Sequence, residues 1–170
     1  MGAEKIQSRR GRYLIFHLSE RTYAISIRNV SEVLAETELS WVPGSPSFLT
    51  GFLNVGEELI AVISLRRLWG IPDRERELYS PLILLRSESQ QVALEVDRVS
   101  RIVDIADEDL VGVSEGSALN DSAISIARVD GTNVVLLSPS RLLLEEERRR
   151  IAELTELAQR RLTAAEGVTA

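Results

Sequence analysis

Residues Pro43–Leu65, PGSPSFLTGFLNVGEELIAVISL, decide the fold. A Pro/Gly-rich approach leads into the apolar pair Phe52-Leu53, a compact Asn54-Val55-Gly56-Glu57 segment follows, and Leu59 to Leu65 is a second apolar run. Two apolar runs around a short turn predict a tight β-hairpin. Glycine at the third position of Asn54–Glu57 suits a type II turn, where positive φ is required. An exposed hairpin tip offers backbone and side chains to a partner without catalytic machinery, so the stretch points to recognition rather than chemistry.

Working outward, the apolar period is mostly two. Leu14, Phe16 and Leu18 share one face of a strand, with Tyr13, Ile15 and His17 on the other. Tyr23 to Ile27 follows after Ser19-Glu20-Arg21-Thr22, a loop of hairpin length, so these strands are expected to pair antiparallel. Val30, Val33 and Leu34 break the alternation, which fits a helical turn or an irregular extension. Arg66 to Pro72 reads as one helical turn stopped by Gly70 and Pro72, and Asp73 to Glu77 as a polar loop. Pro81–Leu85, Gln91–Val96 and Val99–Ile105 are further strands; Ala106–Asp109 is an acidic turn and Gly112–Ser122 a long loop. Ala123–Val129 and Asn133–Leu137 flank Asp130-Gly131, a strong hairpin signal. So many short strands indicate an all-β barrel or sandwich, with Leu14, Phe16, Ile63, Leu84, Leu94 and Leu136 as core.

Ser138-Pro139 predicts a helix start, serine capping free amides and proline filling the first helical position. The helix is expected over 139–162, with Leu144, Ile151, Leu154, Ala158 and Leu162 as an apolar stripe. Ile151, Leu154 and Ala158 form its seam, packed either on the barrel or on another helix. Residues 1–11 and 163–170 read as flexible ends.

Composition removes several functions. A formal charge of −6 argues against nucleic acid, and Arg148-Arg149-Arg150 follows glutamates. Without cysteine there is no disulfide and no thiolate metal site. The N-terminus carries no apolar signal region and no run reaches a membrane span, so a cytoplasmic protein without direct membrane insertion is expected. His17 is the single histidine, too few for a typical zinc site, and neither a nucleophile elbow nor a Gly-rich phosphate loop is present. Glu57-Glu58 and Asp107-Glu108-Asp109 lack the alternating acidic spacing of a calcium loop and read as solvated turns. Trp41 and Trp69 suit either interface anchors or core filling. No catalytic residue, metal or cofactor is expected.

The order of segments resembles the CheW-like domain family over about residues 12–144. It is carried by YLIFHLSERTYAISI, Val30-Ser31-Glu32-Val33, Val42-Pro43 with Phe48, Gly51-Phe52-Leu53-Asn54 leading to Val62-Ile63-Ser64-Leu65-Arg66, Ala93 to Val99 (the family's G-L-x-V-D-x-V), and Ile124-Ser125-Ile126-Ala127. The resemblance implies two intertwined five-stranded SH3-like barrels, here followed by a C-terminal helix. It also implies a non-enzymatic adaptor that couples a chemoreceptor signalling tip, or a related sensor, to the regulatory domain of a CheA-type histidine kinase, recruited to membrane-bound receptor complexes. Other CheW-like domains are further implied partners. Glu32, the hairpin residues Asn54, Val55, Gly56, Glu57 and Glu58, and Arg66 are the implied partner-facing positions. The chain departs from the family where its hairpin reads N-L-R-G-x-I-I-P-V-I-D-L: here Gly56 stands for the arginine, Glu57 for the glycine, Ala61 for the proline and Ser64 for the aspartate. A partner meeting this tip finds carboxylates in place of a guanidinium. Two other readings stay open: a CheW-like scaffold in another pathway such as pilus-based motility, and a small enzyme with an acidic site.

Overall fold

The computed structural model describes residues 9–35, 37–72, 80–113 and 121–167. Residues 1–8 of the N-terminal segment, most of the loops expected at 73–77 and 112–122, and the last three residues of the tail lie outside these. Among the described residues, eleven strands form two sheets. In chain order they are β1 (Arg10–Leu18), β2 (Arg21–Ser26), β3 (Val30–Leu34), β4 (Leu49–Val55), β5 (Glu58–Ser64), β6 (Leu82–Leu85), β7 (Val92–Glu95), β8 (Arg98–Ala106), β9 (Val111–Gly112), β10 (Ala123–Val129) and β11 (Thr132–Leu137). One sheet runs β8-β1-β2-β11-β10-β9, the other β3-β6-β7-β5-β4. The first therefore has six strands rather than five, because the two-residue β9 pairs with β10 through Ser125 opposite Gly112 and Ile126 opposite Val111. The chain starts in the six-stranded barrel, completes the five-stranded one and returns, so the two are intertwined.

The alternation of the strands feeds three apolar cores. Ile15, Ala24, Ile105, Ala127, Val134 and Leu136 fill the six-stranded barrel. Leu53, Ile60, Val62, Leu82, Leu84 and Ala93 fill the other, which a Ser40–Phe52 bridge beyond β3 draws toward closure on β4. The opposite faces of both sheets share the largest core, including Leu14, Phe16, Tyr23, Phe52, Ile63 and Leu94. β1 is thus buried on both sides, Leu14, Phe16 and Leu18 toward the shared core and Ile15 into its own barrel.

Two turns show why hairpins form here. Asp130 and Gly131 have φ of 49° and 77° between Val129 and Thr132. Positive φ at both central residues is the type I′ geometry that matches strand twist. The 43–65 hairpin also closes in two residues, but one position later than its sequence suggests: Val55 pairs with Glu58, and Gly56, φ 63°, takes the first central position. The type II assignment is therefore corrected to the primed turn with leading glycine, type II′. Valine stays in the strand because its branched side chain suits a pleated edge and not a turn.

Between Val30 and Leu34 the structure is a strand, preceded by a short 3-10 turn at Ile27–Asn29; a register shift between Val30 and Glu32 breaks the period-two pattern. α1 (Leu65–Leu68) is capped by Ser64, whose Oγ accepts from the Arg67 N–H at 3.4 Å. α2 spans Glu145–Gly167, starting later and ending later than the 139–162 expected. Pro139 opens a separate 3-10 turn, Pro139–Arg141, in which the Ser138 side chain caps nothing. The long helix begins instead where Glu147 Oε1 accepts the Leu144 N–H at 2.7 Å, the reach-back half of a capping box. Ile151, Leu154 and Ala158 are buried in the shared core on the barrel side, whereas Leu144 is 54% exposed and leaves the stripe.

Candidate functional site: a groove between the barrels and an acidic hairpin tip

Where β3 of one barrel approaches the strand leading into β8 of the other, Val33, Leu34, Ala35, Pro81, Asp97, Arg98 and Val99 line a groove of about 420 Å3. β3 pairs only with β6 within its sheet, so it is an edge strand. Val33 is 40% exposed there, and Glu32, next to it and opposite Leu84, is exposed. Apolar walls with a carboxylate and a guanidinium at the rim suit an amphipathic segment of another protein.

The hairpin tip is a second surface. Asn54, Val55, Gly56, Glu57 and Glu58 are all exposed. The tip is braced from behind by α2, where Gln159 Nε2 donates to the Glu57 carbonyl at 3.4 Å. Beside it a cleft of about 570 Å3 is lined by Glu58, the 87–91 loop and one side of α2, bringing Glu58, Glu88 and Glu156 around one depression. Glu88 thus adds a carboxylate beside the tip, whereas Glu156 is paired with Arg160 at 3.1 Å.

Arg66 is placed elsewhere. Its side chain is 12% exposed, and its guanidinium grips Asp97 with Nε to Oδ1 at 2.7 Å and Nη2 to Oδ2 at 2.5 Å. Nη1 donates to the Pro72 carbonyl at 2.7 Å. A fork held on two sides within the protein is not offered to a partner, so Arg66 is corrected from a partner-facing residue to an internal strut. The physical cause is burial: a guanidinium largely withdrawn from water is stable only where carboxylate and carbonyl oxygens replace its water.

His17 sits on β1 opposite Arg98, with Nδ1 3.3 Å from Thr22 Oγ1. Burial, and then the Arg98 charge, hold its pKa below the ordinary histidine value. Trp69 joins the core side, its ring tilted by 41° against Tyr23 at 5.3 Å, while Tyr23 stacks on Phe16 at 5.6 Å. Its indole N–H is buried with no hydrogen-bond partner. Trp41 is 64% exposed. Among the described residues no group of three or more His, Asp or Glu is placed to hold a metal ion, and no helix is long and apolar enough to cross a membrane. Sequence reasoning missed the groove, because its walls come from residues 33–35, 81 and 97–99, which only the sheet topology brings together.

Fold and surfaces together define a two-barrel β protein whose exposed features are a groove and a charged tip rather than a constellation of reactive side chains. Residues 12–147 match the CheW-like domain family, and the chain belongs to it. Among its relatives, the chemotaxis protein CheW of Thermotoga maritima is 24% identical over 132 residues, covering 78% of this chain and 87% of that protein. The chemotaxis protein CheW of Treponema pallidum is 27% identical over 101 residues, 56% of this chain and 58% of that one. The scaffolding protein TtCheW of Thermoanaerobacter tengcongensis has the same fold, with a TM-score of 0.71 at 24% identity, covering 76% of this chain and 90% of that one.

Proposed function

We propose that this protein is a non-enzymatic chemotaxis adaptor that couples a chemoreceptor signalling tip to the regulatory domain of a CheA-type histidine kinase. It would act in the cytoplasm, recruited to receptor complexes. The observation that carries the reading is the apolar groove at the junction of two CheW-like barrels, open at Val33 and edged by Asp97 and Arg98. Such a groove accepts a helix face, and apolar burial supplies affinity while the rim charges fix orientation. Titration of the purified protein against a receptor-tip fragment and against a kinase regulatory domain tests it. Both should bind, and Val33→Asp, which places a carboxylate on an already exposed position, should weaken the receptor complex at least tenfold with the fold intact. Binding of neither fragment would refute the adaptor.

A second, narrower reading concerns partner choice. Glu57 and Glu58, with Glu88 nearby, favour a partner presenting a basic patch, as in a CheW-like scaffold serving another pathway. Glu57→Arg with Glu58→Arg should weaken the native complex while improving binding to an acidic counterpart. The native affinity should also fall with added salt, as expected of rim electrostatics. Salt-independent affinity that is blind to both substitutions would remove the tip from the interface.

A further inference from the structure

The Asp97 carboxylate, besides lining the groove, stands where the chain leaves one barrel for the other. Asp97 lies between β7 and β8, and is 13% exposed. Its carboxylate accepts from two residues, one in each barrel, and its backbone N–H donates to a third. Ser19 N–H, in the β1–β2 turn of the six-stranded barrel, donates to Oδ2 at 2.7 Å. Arg66, in α1 directly after β5 of the five-stranded barrel, supplies both arms of its fork. The Asp97 N–H adds a bond to the His17 carbonyl at 3.1 Å. One carboxylate thus ties together the β1–β2 turn of the first barrel, the helix of the second and the β7–β8 connection that crosses between them. Ser19 itself adopts φ 54°, a conformation that L residues with side chains seldom take.

The same residue lines the groove. Val33, Leu34, Ala35 and Pro81 belong to the five-stranded side, Arg98 and Val99 to the six-stranded side, and Asp97 lies at their meeting point, while Arg66 is not among the lining residues. A bidentate arginine–carboxylate pair fixes direction as well as distance, because the planar fork matches the two oxygens in one orientation. A shared apolar core lacks this property, since dispersion and hydrophobic burial are non-directional and tolerate small sliding.

We propose that the Arg66–Asp97 clamp is a positioning element that sets the relative placement of the two groove walls, so that binding in the groove depends on Arg66 although Arg66 does not touch the bound segment. The inference rests on the groove being the receptor site of the proposed function, and its test has one arm that does not. The variants are full-length Arg66→Lys, which keeps the charge and loses the fork, and Asp97→Asn, which keeps the shape and loses the charge. In the unliganded proteins, amide residual dipolar couplings report the mutual orientation of the two sheets. Affinity for the receptor-tip fragment is measured on the same samples, with Val33→Asp as the variant that acts directly in the groove. Both clamp variants should shift the relative orientation of the sheets, leave the couplings within each sheet unchanged, and lower receptor-tip affinity about 3- to 30-fold, the usual scale for coupling through a shared element. Wild-type orientation in both variants overturns the proposal. So does unchanged affinity in Arg66→Lys where Val33→Asp weakens binding, since Asp97 would then act only by direct contact. If the wild type binds no receptor tip, the functional reading falls, and the dipolar couplings alone decide whether the clamp orients the barrels.

Discussion

Ile151 and Leu144 belong to one stripe in the sequence and to opposite environments in the fold, which makes them a sharp pair for mutation. Ile151 is fully buried in the shared core, and α2 reaches that core across β5. Ile151→Ala removes three carbons from this site; at ~0.8 kcal/mol for each, transfer alone accounts for about 2.4 kcal/mol. The unfilled volume adds to this, because a strand surface and a helix cannot close fully on the gap, so a total of about 3 kcal/mol is expected. Leu144→Ala deletes the same number of carbons from a side chain that is 54% exposed. Its effect should stay below about 1 kcal/mol. Urea unfolding at constant pH reads the difference, and the thermal midpoint of Ile151→Ala should fall by roughly 6–12 °C for a chain of this size. Equal losses in the two variants, or a loss under about half a kcal/mol for Ile151→Ala, would refute the packing of α2 on the barrels. Deletion of residues 145–170 should be more damaging than either, since it uncovers the apolar face that Ile151, Leu154 and Ala158 shield.

Leu94 is 1% exposed and pairs with both Ile63 and Ile83. Leu94→Ala should cost ~2–5 kcal/mol by urea unfolding, and a loss below about half a kcal/mol would contradict its place in the shared core. At the hairpin, Gly56 has φ 63° with nothing within 4 Å of the position a Cβ would take. Gly56→Ala should therefore cost about 1 kcal/mol of stability from backbone conformation alone, as should the arginine of the family pattern placed there, whereas Glu57→Arg should stay within about 0.5 kcal/mol. His17, with its pKa depressed by burial and Arg98, is favoured neutral in the folded state. The unfolded chain then binds the extra proton first, so this histidine's contribution is intact above about pH 6.5 and is lost as pH falls from there toward the folded value. Stability measured from pH 7.5 to 5 should show a shallower decline in His17→Gln than in the wild type; identical slopes would remove His17 as a cause.

How much was legible in the chain depended on whether a signal was local. Asp130-Gly131 announced its hairpin because the residues needing positive φ are those that accept it, and most strands announced themselves by alternation. β3 did not, because the irregular register between Val30 and Glu32 spoils the alternation over a segment of five residues. The helix start was misplaced because a serine–proline pair serves a 3-10 turn as well as an α-helix, while the true start relies on Glu147 reaching back to a leucine. Arg66 could be identified from the sequence but not assigned a partner, since Asp97 is reached only after two more strands have been laid down. The groove was illegible for the same reason. The family resemblance supplied the architecture, and the exposed hairpin tip at Asn54–Glu58 could be read directly, including its loss of an arginine.

The order in which the strands are joined has a consequence for how the protein is made. The β1–β2 hairpin emerges first, yet β2 finds its parallel neighbour only in β11, with Thr22 beside Val134. At ~5–20 residues per second, synthesis of the intervening chain takes on the order of ten seconds. Throughout that interval the outer edge of β2 and one face of Ile15 and Ala24 have no barrel to enter. The five-stranded barrel, by contrast, is contiguous in the chain and can assemble meanwhile. A nascent chain halted before β10 would therefore present a folded half beside a β8-β1-β2 sheet whose β2 edge is unpaired, the state most open to mispairing with another copy and most in need of chaperone cover.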